Sequence, residues 1–214
     1  MEASPFDDLV EKYDSWYDGK GKVAFETELA ALRPLLPGLP KPWLEVGVGT
    51  GRFAQALGIS HGIDLSAGLI ARARQRGVQA ILGTGEQMPC PRGSFGTVFM
   101  LTTWEFLANP PRVLTEIRRV LAGDGVLVNG YLDRDGKWGA SYVEKGRLGH
   151  PLHRHARFAN HAEVTAAMGE AGFRVTKTVS TLFSGPGQTA EVEAPREGYR
   201  PGASFVVVVA RVGP

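Results

Sequence analysis

Apolar residues recur at helical spacing over residues 5–17 (PFDDLVEKYDSWY) and 22–36 (KVAFETELAALRPLL). Gly38, Pro40 and Pro42 then break the chain, and beyond them short apolar runs alternate with helix-length segments. The runs predict strands at 43–46, 60–64, 78–82, 95–101 and 125–131. The intervening pattern predicts helices at 51–57, 67–75 and 110–121. Ser66 is placed to cap the second of these and Gly77 to stop it, and Pro110 suits a first helical position.

Strands alternating with helices of this length imply right-handed crossovers and a parallel sheet covered on both faces. The C-terminal part breaks the alternation. Residues 173–183 and 204–212 read as two strands with no helix between them, so an antiparallel pair is expected at the sheet edge, joined by a Pro/Gly-rich loop at 184–202. No internal repeat or low-complexity tract interrupts the chain. The expected fold class is α/β.

Composition narrows the partners. The 214 residues suit a single domain, and 43% hydrophobic with 21% charged residues supports a sizeable core. A formal charge of +2, with both signs mixed along the chain, gives no footprint for nucleic acid or an anionic membrane. The single cysteine, Cys90, excludes an intrachain disulfide and fits a reducing compartment. The N-terminal sequence MEASPFDDLVEKYD lacks a basic-then-apolar signal pattern, and the longest apolar run, residues 205–210, is too short to span a bilayer. A cytoplasmic protein with no membrane partner is expected; the sequence is silent on oligomeric state.

The stretch LEVGVGTGRF, residues 44–53, carries the strongest chemical signal. Three alternating glycines connect the first strand of the alternating region to its helix. In an open parallel sheet, ligands bind beyond the carboxyl ends of the strands. Glycines there let the main chain approach a ligand and adopt positive φ, and the helix start offers unpaired N–H groups. The spacing alone is common in a chain with 28 glycines, so its context decides. An apolar strand precedes it, a helix follows, and Asp64 closes the next strand, where a carboxylate can accept bonds from both ribose hydroxyls. A dinucleotide site would want a third glycine where Arg52 stands. Glu45, just ahead of the loop, would repel a pyrophosphate and attract an amine or sulfonium. A ligand with a ribose at one end and a charged amino acid at the other fits, as S-adenosyl-L-methionine does.

LEVGVGTGRF followed by GIDLS resembles the opening of class I S-adenosylmethionine-dependent methyltransferases, in particular the type-11 methyltransferase domain. The later segments ILGTGEQMPCPRGSFGTVFML and LTEIRRVLAGDGVLVNG continue the resemblance. It implies a Rossmann-like fold with a seven-stranded, mostly parallel sheet, an antiparallel last strand and an N-terminal helical lid. It divides the single domain into a lid (1–40), a cofactor-binding core (41–131), a substrate-side insertion (132–160) and a C-terminal helix with a β-hairpin (161–214). By the same resemblance, Gly47, Gly49 and Gly51 hold the methionine part of the donor, with Glu45 near its ammonium. Asp64 binds the ribose, and Thr84, Gly85 and Glu86 border the adenine with Met88 as an apolar wall. Thr84 stands where the family often has Asp, and is the weaker acceptor. Tyr13 and Tyr17, in YDSWY, match the aromatic lid; packing and cation–π contact with the sulfonium are both open readings.

Residues 102–105, Thr-Thr-Trp-Glu, follow the fourth strand and are expected to face the methyl group, with Thr102 at the cofactor and Trp104 either a substrate wall or core. Asn109-Pro110-Pro111 and Pro89-Cys90 superficially match base-methylating motifs, but each sits wrongly relative to the fourth strand. His150, His153 and His155 (HPLHRH) lack a cysteine or carboxylate to complete a zinc set, so no metal is expected. His153 and His155 are candidates for a general base. Arg134, Trp138, Tyr142 and Arg157 are candidates for substrate contact, while Arg72, Arg74 and Arg76 read as a solvated helix face. The expected activity is methyl transfer to a small-molecule acceptor, with nucleic acid disfavoured. A non-catalytic nucleotide-binding module and an NAD(P)-dependent oxidoreductase are the alternatives.

Overall fold

The computed structural model describes residues 6–188 and 190–213. Pro5, the first residue of the predicted N-terminal helix, and Thr189, within the predicted 184–202 loop, lie outside the described residues.

Two helices, α1 (Val10–Trp16) and α2 (Lys22–Leu32), precede the sheet. α2 ends earlier than its apolar pattern suggests. Pro34 falls in the next turn, which tightens into a 3-10 turn at Arg33–Leu35, because proline has no N–H and clashes with the preceding turn. Five strands then alternate with helices: β1 (Trp43–Val46), α3 (Arg52–Leu57), β2 (His61–Asp64), α4 (Ala67–Gln75), β3 (Gln79–Leu82), β4 (Phe95–Leu101), α5 (Pro110–Val120) and β5 (Leu121–Leu132). After them come α6 (Lys137–Arg147), α7 (His161–Glu170), β6 (Phe173–Thr181), β7 (Arg196–Glu197) and β8 (Phe205–Val212).

The sheet order is β3-β2-β1-β4-β5-β8-β6-β7, with β1 to β5 parallel to one another. Strand order reverses between β1 and β4, which opens a crevice at the carboxyl ends of those strands. β8 runs antiparallel to both β5 and β6.

One expectation changes. The sheet has eight strands rather than seven, because two residues of the 184–202 loop pair with β6 as β7. The C-terminal antiparallel pair forms as expected, with β8 against β5 and β6 outside it, and the Val-rich run of β8 is buried on both faces. A strand buried on both faces needs a continuous apolar sequence, and FVVVVA supplies it.

The core lies in two layers, one on each face of the sheet. Phe25, Leu29 and Leu32 of α2 pack with Phe99 and Phe205 on one face. Leu114 and Ile117 of α5 pack with Met100, Tyr131 and Met168 on the other. α5 follows ideal spacing: Val113, Leu114, Ile117 and Val120 are all buried, and the Asn109 side chain accepts from the Arg112 N–H at its start.

Candidate functional site

The carboxyl ends of β1, β2 and β4 meet under α1 and enclose a cavity of about 680 Å3. One end is built mostly from backbone. The N–H groups of Gly47 and Val48 both donate to the Ile63 carbonyl, at 2.8 and 3.0 Å, folding the turn after β1 over the end of β2. Gly47, Gly49 and Gly51 adopt φ of +74°, +54° and +81°. A Cβ on Gly47 would sit 2.3 Å from Thr103 Oγ1, so that side chain and the bare backbone fit only each other. Gly51 has a different task. A Cβ there would come 3.0 Å from the Ala73 backbone, so its bareness lets α3 approach α4, and Gly51 does not line the cavity.

Asp64 ends β2 facing the cavity. Gly49 N–H donates to its Oδ2 and Ser66 N–H to its Oδ1, both at 2.9 Å. Burial raises its pKa, and the backbone N–H groups oppose that rise. Its remaining lone pairs face the cavity as acceptors. Glu45 lies beneath the loop, buried, with Oε2 unpartnered and its pKa well above the usual carboxylate range through burial and the nearby Asp64. Gly83 and Gly85 also line the cavity. Thr84, Glu86 and Met88 do not: the Thr84 hydroxyl accepts from the Glu86 N–H at 3.1 Å, and Met88 is buried in the core.

α1 covers this end. Tyr13 and Tyr17 line the cavity with their hydroxyls 2.8 Å apart, and Tyr13 Oη stands 3.5 Å from where a Gly49 Cβ would be. Asp14 fastens the helix down: Arg52 Nε meets its Oδ1 at 2.9 Å, Arg76 Nη2 meets its Oδ2 at 2.8 Å, and Arg76 Nη1 donates to the Thr50 carbonyl at 2.8 Å. The two guanidiniums hold Asp14 well below the usual carboxylate range, against its burial. The expectation of a solvated Arg72–Arg76 face is therefore corrected for Arg76, while Arg74 is exposed as expected. Arg76 ties the lid to the glycine loop, Arg74 donates to the Ala80 carbonyl, and Arg72 pairs with Glu11. Sequence spacing carried no sign of this, because Asp14 lies 62 residues from Arg76.

The other end is built from side chains. Thr102 N–H donates to the Gly130 carbonyl at 2.7 Å, and Thr102 has φ +47°, a strained setting for a β-branched residue. It turns the chain sharply after β4, so that Thr102, Thr103 and Glu105 all line the cavity. Trp104 instead points into the core. Trp138 and Tyr142 of α6 line the cavity, with Trp138 edge-on to Trp16 at 6.1 Å and its Nε1–H donating to the Ser184 carbonyl. α6 itself lies in the stretch 132–160, where the sequence pattern predicts no helix. It carries Gly139, where a Cβ would come 2.1 Å from the Asp133 carbonyl oxygen.

His153 lines the cavity but stacks between Tyr142, at 4.1 Å, and His150, at 4.4 Å. Burial, with His150 and Lys145 adding, lowers its pKa to about 4. A base that weak is poorly matched to proton abstraction near neutrality. His155 lies at the exposed rim and accepts from Arg154 Nε. Arg134 and Arg157 are not at the cavity: Arg134 pairs with Glu163 at 3.0 Å, and Arg157 offers its backbone N–H to the Glu105 carbonyl. Among the described residues, no group of three His, Cys, Asp or Glu is placed to hold a metal ion, and no helix is long and apolar enough to cross a membrane.

Glu105, in the stretch expected to face the methyl group, does line the cavity, whereas Glu28 also lines it and went unread in the sequence. Glu28 did leave a trace. It falls on the same stripe of α2 as Ala24, Phe25, Leu29 and Leu32, a carboxyl at a core position.

Residues 44–129 match the Methyltransferase domain family. A crystal structure of a Thermotoga maritima protein, described as a SAM-dependent methyltransferase and possible histamine N-methyltransferase, superposes with TM-score 0.90 at 36% identity, covering 97% of this chain and 98% of that one. The chain belongs to the S-adenosylmethionine-dependent methyltransferases. This methyltransferase is also 41% identical over 200 residues to an uncharacterized Mycobacterium tuberculosis protein, covering 92% of this chain and 70% of that one. An uncharacterized Methanocaldococcus jannaschii protein is 34% identical over 205 residues, covering 96% and 97%. Membership makes S-adenosylmethionine the methyl donor and displaces the nicotinamide and non-catalytic alternatives. The glycine turn without Cβ atoms and the inward-facing Asp64 suit that donor's amino-acid and ribose parts, while Glu45, buried beneath the turn with Oε2 unpartnered, does not itself line the cavity.

Proposed function

We propose that the methyltransferase acts on a small-molecule acceptor held in the cavity beside the donor. One observation carries this reading: a single partly enclosed space joins the glycine-loop end to an end walled by Trp16, Trp138 and Tyr142. Its 680 Å3 lies within the range of about 300–1,000 Å3 of small-molecule sites. The description of the Thermotoga maritima protein as a possible histamine N-methyltransferase points the same way. The free thiol of Cys90 supports a cytoplasmic setting.

In this reading Gly47 and Gly49, above the buried Glu45, hold the donor's amino-acid part, Asp64 its ribose, and Gly85 borders its base. Thr102, Tyr13 and Tyr17 close around the reacting end. S-adenosylmethionine supplies a methyl carbon already activated by a sulfonium. The protein's part is to align the acceptor and exclude water, and such positioning is worth about 7–11 kcal/mol at best. Trp16 and Tyr17 of the lid, packed edge-on at 5.1 Å, shield the cavity from solvent. The test is titration with S-adenosylhomocysteine, followed by mass-spectrometric screening of small acceptors against peptides and RNA. Methylation of small compounds alone supports the reading, and methylation of a macromolecule alone refutes it.

A further inference from the structure

The acceptor end of the cavity holds two carboxyls that the protein leaves unanswered. Glu28 comes from α2 and Glu105 from the turn after β4. They are 4% and 1% exposed, and both line the cavity. Glu105 Oε1 accepts the Leu132 N–H, but Oε2 has no partner. Among the described residues no hydrogen bond or ion pair engages the Glu28 side chain, and the charge bearing on it is the like charge of Glu105. The cations at the cavity, Lys12, Lys20 and Lys145, are exposed at its mouth, and Lys145 rests 5.0 Å from the Tyr142 ring centroid.

Burying an acid without a partner is costly, and burying two of like charge in one cavity more so. Leucine or methionine would fill either position without that cost. An aromatic wall with two inward carboxyls and no built-in counter-ion matches an apolar body carrying a positive charge.

We propose that Glu28 and Glu105 form the acceptor subsite and take a basic amine, binding its ammonium as their counter-charge while Trp16 and Trp138 flank its body. This rests on the methyltransferase reading of the cavity and names the class of acceptor within it. Without ligand, burial pushes Glu28 up to about 8 and Glu105 up to about 7, so near neutrality Glu28 is largely protonated and Glu105 about half so. An arriving ammonium displaces a proton from the pair. The phenols and imidazoles packed at this end, Tyr13, Tyr17, Tyr142, His150 and His153, stay neutral at that pH, the phenols raised and the imidazoles lowered by burial. For transfer, the ammonium gives one proton to the carboxylate pair, and the freed nitrogen lone pair forms the new N–C bond. The electron pair of the broken C–S bond stays on sulfur, and the products are S-adenosylhomocysteine and the methylated ammonium. The pair then returns its proton to solvent.

The test is calorimetric titration of the protein–S-adenosylhomocysteine complex with 2-phenylethylamine, tryptamine and histamine, each against the alcohol of the same skeleton, in buffers of different ionisation enthalpy. At least one amine should bind ten-fold or more tighter than its alcohol and release protons. Glu28→Gln and Glu105→Gln should remove that preference while leaving S-adenosylhomocysteine affinity within two-fold, which also shows the variants folded. The proposal is overturned if alcohols bind equally well, if no amine binds, or if the variants keep the preference. It is also overturned if Glu28→Gln weakens S-adenosylhomocysteine instead, since that carboxyl would then serve the donor's own ammonium. Failure of wild type to bind S-adenosylhomocysteine would refute the reading of the donor site itself, a separate and earlier result.

Discussion

The two ends of the cavity are made of different material. The donor end is backbone plus one carboxylate, fixed by strand pairing within residues 44–66: Val46 lies opposite Ile63, and Gly49 N–H donates to Asp64 Oδ2 at 2.9 Å. The acceptor end assembles side chains from α1, α2, the turn after β4, and α6, which meet only in the folded chain. A site made from main chain is specified by local glycine spacing. A site made from side chains is specified by the whole fold, and it is free to vary without disturbing the sheet.

The sharpest way to break the donor end is at Gly47. A side chain there would enter Thr103 with φ at +74°, both forbidden at once. Gly47→Val is expected to lower S-adenosylhomocysteine affinity more than about 100-fold, or roughly 2.7 kcal/mol. Unchanged affinity in calorimetry would mean the turn does not touch the donor. Asp64→Ala comes next. Hydrogen bonds to a charged group are worth about 1.5–3 kcal/mol, so a loss of roughly 10- to 100-fold is expected. Asp64 also holds the Gly49 and Ser66 N–H groups, so Asp64→Asn separates lost charge from lost loop geometry.

This contrast explains what the sequence conveyed. β1, α4 and β4 fall where their patterns predict, at Trp43–Val46, Ala67–Gln75 and Phe95–Leu101, because local periodicity and burial agree there. Gly47, Gly49 and Asp64 were legible as a strand–turn–helix unit followed by a strand-ending acid. α6 was not, since glycines at 139 and 146 suppress helix propensity and are there for close approach to Asp133 and His153. Nor could spacing reveal that Gly51 serves helix packing, that Met88 and Trp104 are core, or that Arg76 reaches Asp14. Those roles depend on contacts distant in sequence.

The acceptor end should show itself in the pH dependence of stability. Burial raises Glu28 from 4.5 to about 8 and Glu105 from 4.5 to about 7. A raised acid favours the fold fully below its unfolded pKa, and that contribution is lost as pH rises from about 4.5 toward 8. His153 acts oppositely: lowered from 6.5 to about 4, it costs stability as pH falls through that interval. Glu28→Gln should therefore melt higher than wild type by a margin growing from pH 5 to pH 8, on the order of 4 kcal/mol at the upper end. A constant margin would mean that Glu28 keeps its ordinary ionisation.

Trp138→Ala probes the same end through packing. Trp138 meets Trp16 and Tyr142 edge-on and is 5% exposed. Opening that wall should raise the acceptor KM about ten-fold, equivalent to roughly 1.4 kcal/mol, with S-adenosylhomocysteine affinity unchanged. Parallel losses of both affinities would dissolve the division into two ends.

Arg134 marks where the acceptor end stops, and its expected effect is the smallest. Its place after β5 suggests substrate contact, but its guanidinium pairs with Glu163 of α7, at 3.0 Å, with both side chains substantially exposed. Exposed pairs of this kind contribute about 0.2–1 kcal/mol, reduced further by salt. Glu163 also closes the capping box with Asn160, which does not need Arg134. Arg134→Ala should accordingly change the acceptor KM less than two-fold and stability by under about 1 kcal/mol, the latter shrinking at higher ionic strength. A ten-fold rise in KM would place the acceptor site farther along the sheet than the cavity reaches, and would move the boundary between the two ends with it.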